Sequence, residues 1–206
     1  MKKLSNPRGY LSYTQVDLWL RSPTKYKEQY FYGNDEGIKN AYMDYGKATA
    51  DAIESGVETG DALFDTAITL LTKYSKIEHE IQATLQTPYG SVDLLGKLDT
   101  FDPETLNFRE YKTGKTIWTE HRAKKHRQLH HYQLLIWLKH GKISQNIALD
   151  WLETEKLADS SVAFTGKKRS FVVDITMVDV INYMSLVSTV AKEIDQEYIK
   201  EFNKFM

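Results

Sequence analysis

The sequence predicts an α/β fold, a single domain with a central mixed β-sheet flanked by helices. Three observations indicate this class. Helical periodicity marks both ends of the chain, β-prone runs bounded by turn residues fill its middle, and a further helical segment separates the strands. The chain has 206 residues, enough for one well-buried core. We expect one domain over 1–206, with an N-terminal helical part over about 12–75 and a core over about 78–175.

The N-terminal part is predicted to be helical, with breaks at polar residues. Ser12 suits an N-cap because Gln15 follows three residues later, as in a capping box. Ser22-Pro23 interrupts the first helix, and Asp61 suits the N-cap of the third. The predicted segments are a helix over 12–32, a polar loop over 33–40, and helices over 42–55 and 61–74.

The rest of the chain is predicted to supply the sheet and the remaining helices. Thr87-Pro88-Tyr89-Gly90 and Asp102-Pro103-Glu104 are turn signals that separate three β-prone runs. Gly141 suits the C-cap of the helix that follows these strands. The predicted segments are strands over 78–86, 91–101 and 106–113, a helix over 119–141, strands over 146–154 and 170–175, and a closing helix over 178–205.

The composition excludes several kinds of site. The chain contains no cysteine, which rules out disulfides, thiolate zinc sites and iron–sulfur clusters and fits a reducing, cytoplasmic location. No apolar run is long enough for a transmembrane helix, and the N-terminal segment lacks the apolar stretch of a signal peptide, so we expect no membrane association. The net charge is −1, so any nucleic-acid footprint must be local.

The hairpin formed by the second and third predicted strands carries the residues with the clearest chemical meaning. Asp99 lies near the end of one strand, and on the next strand Glu110 and Lys112 share a face because side chains alternate. Carboxylates suit Mg²⁺ or Mn²⁺, and the backbone carbonyl of Tyr111 is a further candidate ligand. Lys112 can orient a water molecule and neutralise a phosphate. The trio predicts metal-dependent hydrolysis of phosphodiester bonds.

The helix after the hairpin carries a second candidate pair. Gln128 and Tyr132 lie four residues apart and therefore on one helical face. From that face, Gln128 could direct its amide at the hairpin site or at the substrate backbone.

The segment before this pair is basic, and no acidic residue occurs from His121 through Lys139. A local positive patch of this kind can bind DNA phosphates, although a solvated helix face is the alternative interpretation. The candidate nucleic-acid-binding residues are Arg122, Lys124, Lys125 and Arg127.

These motifs, in their order and spacing, resemble those of the PD-(D/E)XK nuclease superfamily, specifically its RecB-like exonuclease group. Gly96-Lys97-Leu98-Asp99 resembles the Gly-x-x-Asp motif of the family, Glu110-Tyr111-Lys112 its E-x-K motif, and 128–132 its Q-x-x-x-Y motif. Leu11-Ser12 with Ser22-Pro23-x-x-Tyr26, and the segment 46–54, resemble its N-terminal helices. The resemblance implies a restriction-endonuclease-like core whose catalytic residues are Asp99, Glu110, Lys112, Gln128 and Tyr132.

Two positions depart from the family pattern. Ser22 stands where several relatives have a cysteine of an iron–sulfur cluster, and Ala50 stands where many have a metal-binding histidine. The carboxylates that could replace that histidine are Glu54, one helical turn from Ala50, together with Asp51 and Glu80.

The resemblance implies a Mg²⁺- or Mn²⁺-dependent deoxyribonuclease, an exonuclease of DNA recombination or repair. Its implied partners are DNA and a recombination or single-strand-annealing protein. A non-catalytic nucleic-acid-binding or scaffolding module on the same fold is the alternative, because the histidine is absent at Ala50. Strand polarity, strand preference and exo versus endo action stay open, as does the choice between a monomer and an oligomer.

Overall fold

The computed structural model describes residues 2–34 and 41–202. The predicted loop residues 35–40 and the predicted helix end 203–205 lie outside this range. In chain order the elements are β1 (Leu11–Ser12), α1 (Tyr13–Arg21), α2 (Pro23–Tyr26), a π-helical turn (Lys27–Phe31), α3 (Ala41–Ser55), α4 (Ala62–Thr69), β2 (Lys76–Thr87), β3 (Gly90–Phe101), β4 (Phe108–Gly114), α5 (Glu120–Lys124), α6 (Arg127–His140), β5 (Ile147–Lys156), β6 (Val162–Val173) and α7 (Met177–Phe202).

The strands form one mixed six-stranded sheet with helices packed against it, which confirms the predicted α/β class. β3 pairs antiparallel with β2 along its length and parallel with the short β1. Its ladder with β4 contains two pairs, Thr100–Arg109 and Phe101–Phe108. β4 then pairs parallel with β5, and β5 antiparallel with β6. Since the β3–β4 ladder ends next to Asp99, the two strands separate where that residue lies.

Polar caps divide the N-terminal helices as the sequence predicts. The Ser12 hydroxyl accepts a hydrogen bond from the Gln15 backbone N–H at 3.4 Å and begins α1. The Ser22 hydroxyl accepts from the Lys25 N–H at 3.3 Å and begins α2. The helix predicted over 12–32 is therefore two α-helices followed by a π-helical turn.

The third predicted helix, α4, is shorter than expected. The Asp61 carboxylate accepts hydrogen bonds from backbone N–H groups of the first turn, which confirms it as the N-cap. The helix ends at Thr69 rather than near Tyr74. The Tyr74 N–H donates to Thr100 Oγ1 at 2.6 Å, so the segment after α4 is held against β3 as the chain enters β2.

The prediction of a single helix over 119–141 is wrong, because the chain forms two helices there, α5 and α6. His126 has an extended backbone, and its Nδ1 accepts a hydrogen bond from the Gln128 N–H at 3.2 Å. This imidazole caps α6 and separates it from α5. Gly141 ends α6 in the left-handed conformation at φ 68°, as predicted.

The last strand, β6, begins eight residues before its predicted start at 170. Its extra residues include the polar Thr165 and Lys167, whose side chains contact the Glu153 carboxylate of β5 at 2.9 and 3.0 Å, where the register of the ladder shifts. Among the strands described, β6 pairs only with β5, so it lies at the edge of the sheet. Polar residues are common on edge strands, so the polar stretch around 165–168 gave no strand signal in the sequence.

Gly96 allows α6 to lie directly on β3. A Cβ at this position would be 2.7 Å from Leu135 Cδ1 and 2.9 Å from Tyr132 Cδ1. Because real side chains do not tolerate such distances, a glycine is required for this close approach. The approach places the Tyr132 side chain against the backbone of β3.

A buried ion pair joins the central strands on the opposite face of the sheet. Arg109 of β4 donates two hydrogen bonds, each 2.8 Å, to the carboxylate of Asp150 on β5. The Asp150 side chain is fully buried, and it also accepts a hydrogen bond from the Ser170 hydroxyl of β6. One carboxylate thus connects three neighbouring strands.

No helix in 2–34 or 41–202 combines the length and the apolar character needed to cross a membrane.

Candidate active site

The alternation of side chains along β4 determines which residues meet at the site. Glu110 and Lys112 lie on one face, and the Lys112 ammonium donates a hydrogen bond to Glu110 Oε1 at 2.5 Å. Tyr111 points the other way, and its hydroxyl donates to the Thr72 carbonyl at 2.7 Å. Glu110 and Lys112 are therefore adjacent on the face that the sequence predicts.

Asp99 joins this pair through the backbone of β4. Its Oδ2 accepts the Tyr111 N–H at 2.5 Å, just beyond the last pair of the β3–β4 ladder. This carboxylate occupies the position that the next strand-to-strand hydrogen bond would otherwise take. The fold thereby brings Asp99, Glu110 and Lys112 together.

The electrostatics of the trio favour an additional cation. Loss of contact with water raises the pKa of Asp99 well above its usual value, and the neighbouring Glu110 charge adds to the effect. Burial also raises the pKa of Glu110, although Lys112 opposes the shift. Burial alone would lower the pKa of Lys112, but the two carboxylates outweigh it and raise that pKa. The trio thus contains two carboxylates and a single ammonium group.

One oxygen of Glu110 is buried without a hydrogen-bond partner among the described residues. Glu110 is 2% exposed, and its Oε2 is the unpartnered atom. Buried carboxylate oxygens are costly unless they bind a donor or a cation. A cation next to Oε2 would therefore be stabilising.

A cavity of about 330 Å³ lies over the trio, between α3 and the strands. Gly46 and Ala50 contribute to its wall from α3, and a Cβ on Gly46 would be only 3.3 Å from Thr113 Oγ1 of β4. α3 thus lies close against the site. Ala50, which stands where the family resemblance implies a histidine, borders the same cavity as Asp99 and Glu110.

A chain of hydrogen bonds connects Lys112 to α6. The Tyr132 hydroxyl donates to the Lys97 carbonyl at 2.6 Å and accepts from Gln128 Nε2 at 2.7 Å. Gln128 Oε1 is thereby turned towards Lys112, and it accepts a hydrogen bond from the ammonium at 2.8 Å. The Tyr132 hydroxyl donates its only proton to the Lys97 carbonyl of β3, so it can only accept a hydrogen bond from Gln128. The amide of Gln128 must therefore point its Nε2 at Tyr132 and its Oε1 away from it. Gln128 and Tyr132 therefore position the lysine.

The carboxylates proposed to replace the histidine lie elsewhere. Glu54 and Asp51 are exposed on α3 and do not border the cavity. Glu80 is exposed on β2 and accepts a hydrogen bond from Gln82 Nε2 at 2.8 Å. Across the parts of the chain that the structure describes, no group of three or more His, Asp or Glu side chains is arranged to hold a metal ion.

Glu78 is the carboxylate that the sequence reasoning missed. It borders the cavity, and it lies opposite Asp99, since the ladder pairs Ile77 with Thr100 and His79 with Leu98. The predicted turn at Thr87-Pro88-Tyr89-Gly90 pointed to this pairing, because a tight hairpin determines the register of both strands, and the structure pairs Thr87 with Gly90. Glu80 is two residues farther along β2.

The basic segment borders a second, larger cleft of about 870 Å³, which is also bounded by α1 and α7. The Arg122 guanidinium lies 4.1 Å from the centre of the Trp118 ring, and Arg127 contacts Asp17 at 3.4 Å. Burial, reinforced by the Lys112 charge, lowers the pKa of His126 to about 3, so this imidazole is neutral near pH 7. The positive charge of the cleft therefore comes from the candidate residues Arg122, Lys124, Lys125 and Arg127.

A third cavity, of about 360 Å³, adjoins both of the others. It shares Tyr42 and Lys112 with the cavity over the trio, and Trp118 and Arg122 with the basic cleft. The three therefore form one connected surface that leads from the basic segment to Asp99 and Glu110.

Comparisons with known proteins add little to this description. No protein-family model matches the chain, and no curated protein matches it. Among solved structures, that of SSO0001 is similar, with 12% sequence identity and a TM-score of 0.46 over 90% of this chain and 77% of the other. A similarity at this level supports no conclusion about the family or the function of this chain.

Proposed function

We propose that this protein is a Mg²⁺- or Mn²⁺-dependent deoxyribonuclease with a PD-(D/E)XK-type site, an exonuclease acting in DNA recombination or repair in the cytoplasm. The observation that carries the proposal is the convergence of Asp99, Glu110 and Lys112 in one cavity, with Glu110 Oε2 buried and unpartnered. Two carboxylates beside one ammonium group suit the binding of a divalent cation next to a phosphate.

The residues present fit such a cation. Mg²⁺ is commonly held by one or two carboxylates together with water and substrate phosphates, so a larger set of protein ligands is not required. Asp99 and Glu110 would hold it, and the Tyr111 carbonyl remains a candidate ligand. When bound, the cation would polarise the phosphate and lower the pKa of an attacking water molecule.

Lys112 has the clearest catalytic role among the side chains. An ammonium group has three N–H donors, and the bonds to Glu110 and Gln128 use two of them. The third can bind the attacking water or a phosphate oxygen. Because Gln128 and Tyr132 hold the lysine in place, its charge needs little reorganisation as negative charge develops on the phosphate.

The connected cavities suggest a path for the DNA strand. Phosphates would lie along the basic cleft, and the strand would reach the trio through the cavity that both regions share. Phosphate contacts of this kind set position and affinity without reading sequence. A recombination or single-strand-annealing protein is the partner we propose for such an activity.

The alternative is a non-catalytic nucleic-acid-binding or scaffolding module. Ala50 favours it, because this residue offers no ligand although it borders the cavity. Site-specific binding of Mn²⁺ separates the two functions, since a scaffold would retain DNA binding without it.

A direct test uses purified, EDTA-treated protein with end-labelled linear and circular DNA, in single- and double-stranded forms. We expect degradation of at least one linear form when Mg²⁺ or Mn²⁺ is added and none in EDTA. Calorimetric titration with Mn²⁺ should detect binding to the wild type and its loss in Asp99→Asn. Absence of metal-dependent activity on every DNA form, with DNA binding retained, would favour the scaffold.

The basic cleft leads to a prediction about salt dependence. Replacing Lys124 and Lys125 together with glutamine should weaken DNA binding, because each lysine displaces a counterion from the backbone. The slope of log affinity against log salt should decrease by about 1.4 to 1.8. Fluorescence anisotropy in EDTA over a salt series measures this slope.

The matched control is Lys139→Gln/Lys142→Gln, which removes the same charge near the far end of α6. The control should keep the wild-type slope. Equal slopes for all three proteins would exclude the cleft as the DNA-binding surface.

A further inference from the structure

Lys97 is a second ammonium group close to the candidate active site. It lies on β3, two residues before Asp99, and its Nζ contacts Glu78 Oε2 at 2.5 Å. The hydrogen bond to Glu78, followed by the charges of Glu54 and Asp99, raises the pKa of Lys97. The Lys97 ammonium therefore lies against a carboxylate of the cavity wall, close to Asp99 in the sequence.

Glu78 has the properties of a metal ligand but is already paired. Its side chain is 12% exposed, it borders the cavity with Asp99 and Glu110, and its charge contributes to the raised pKa of both. Its backbone has φ 50°, which a residue other than glycine seldom adopts, in an otherwise regular ladder. Because the Lys97 ammonium binds Oε2, a divalent cation would have to compete with it for this carboxylate.

The formal charges indicate how many divalent cations the site accommodates. Three carboxylates that border the cavity (Glu78, Asp99 and Glu110) and two ammonium groups (Lys97 and Lys112) give a formal net charge of −1. One divalent cation would change this sum to +1, whereas two would raise it to +3 next to the lysines. The unpartnered Glu110 Oε2 marks the position for the first cation, and no such atom marks a second among the described residues.

We propose that Lys97 takes the place of a second metal ion, so that the site binds a single divalent cation. This inference rests on the proposed function, since it assumes that Asp99 and Glu110 bind the first cation. The ammonium of Lys97 neutralises Glu78 at the edge of the cavity, as a second metal ion would. Its exposed position, with the side chain 53% accessible, also allows it to meet a phosphate of the DNA strand.

The number of bound Mn²⁺ ions tests the proposal without any measurement of activity. Calorimetry, with electron paramagnetic resonance of free Mn²⁺ as a second readout, should give one ion per chain for the wild type. Lys97→Met frees Glu78 and should give two ions per chain. Lys97→Met/Glu78→Gln removes the freed carboxylate and should return the count to one.

The matched control is Lys3→Met, which breaks a comparable exposed ion pair, Lys3–Asp93 at 2.7 Å, far along β3 from the site. It should keep one ion per chain. Lys97→Gln serves as a second variant, and circular dichroism checks that each variant is folded. The hydrogen bond from the Tyr132 hydroxyl to the backbone carbonyl of Lys97 does not involve the lysine side chain, so these substitutions leave it in place.

Each outcome has a distinct meaning. Two ions in the wild type, or one ion in both Lys97 variants, would overturn the role of Lys97 while leaving the proposed nuclease site intact. No bound Mn²⁺ in the wild type would instead contradict the proposed function itself.

Discussion

Lys112→Met is expected to reduce the rate of DNA hydrolysis by about 10² to 10⁴ while leaving the protein folded and able to bind Mn²⁺. The lysine supplies the only ammonium group in contact with Glu110 among the described residues, and Gln128 holds it in position. Its removal deletes the positive charge that would stabilise the negative charge developing on the phosphate. Metal binding should persist, because Asp99 and Glu110 remain and lose a competing cation.

Single-turnover cleavage of end-labelled DNA measures the chemical step, and Mn²⁺ calorimetry on the same preparation measures the site. Lys142→Met is the matched control, since this exposed lysine lies beyond the end of α6. A Lys112→Met protein that cleaves DNA at the wild-type rate would remove the lysine from the mechanism. Loss of Mn²⁺ binding together with cleavage would assign it a structural role instead.

Arg109→Met is expected to lower the free energy of unfolding by about 3 to 5 kcal/mol, because it breaks a buried ion pair and leaves one charge uncompensated. Asp150 is fully buried, and its remaining neighbours are the Ser170 hydroxyl and the Lys168 ammonium at 3.8 Å. A buried carboxylate with so little compensation destabilises the folded state. Urea denaturation followed by circular dichroism measures the change.

Two further variants make this result specific. Arg109→Met/Asp150→Leu removes both charges and should recover most of the lost stability. Arg21→Met breaks the exposed Arg21–Asp17 pair, 2.8 Å long, and should cost less than about 1 kcal/mol. Equal losses of unfolding free energy for Arg109→Met and Arg21→Met would mean that burial does not increase the cost of breaking the Arg109–Asp150 pair.

The centre of the candidate site was predictable because it depends on local geometry. Alternation along a strand places Glu110 and Lys112 on one face whatever the rest of the fold does. A turn at Asp102-Pro103-Glu104 returns the chain to Asp99. The four-residue spacing of Gln128 and Tyr132 depends only on a continuous helix, and α6 provides one.

The remaining features depend on tertiary contacts that periodicity does not reveal. His126 caps α6 with an imidazole nitrogen, although side-chain oxygens are the usual caps, and the helix break was therefore missed. Glu78 could have been found only by pairing β2 with β3 residue by residue. The ion pair of Arg109 and Asp150 joins positions 41 residues apart, and neither residue has a local signal of burial.

The hydrogen bond from the Tyr111 N–H to Asp99 makes one backbone amide a spectroscopic reporter of the site. The resonance of an amide proton depends on the charge of the group that accepts it, so protonation of Asp99 or coordination of its carboxylate would shift the Tyr111 signal. The β3–β4 ladder ends beside this bond, and the amide would therefore also exchange with solvent faster when Asp99 releases it. Occupancy of the site can thus be followed in the intact protein, with neither substrate nor catalysis, through a single nitrogen–proton pair.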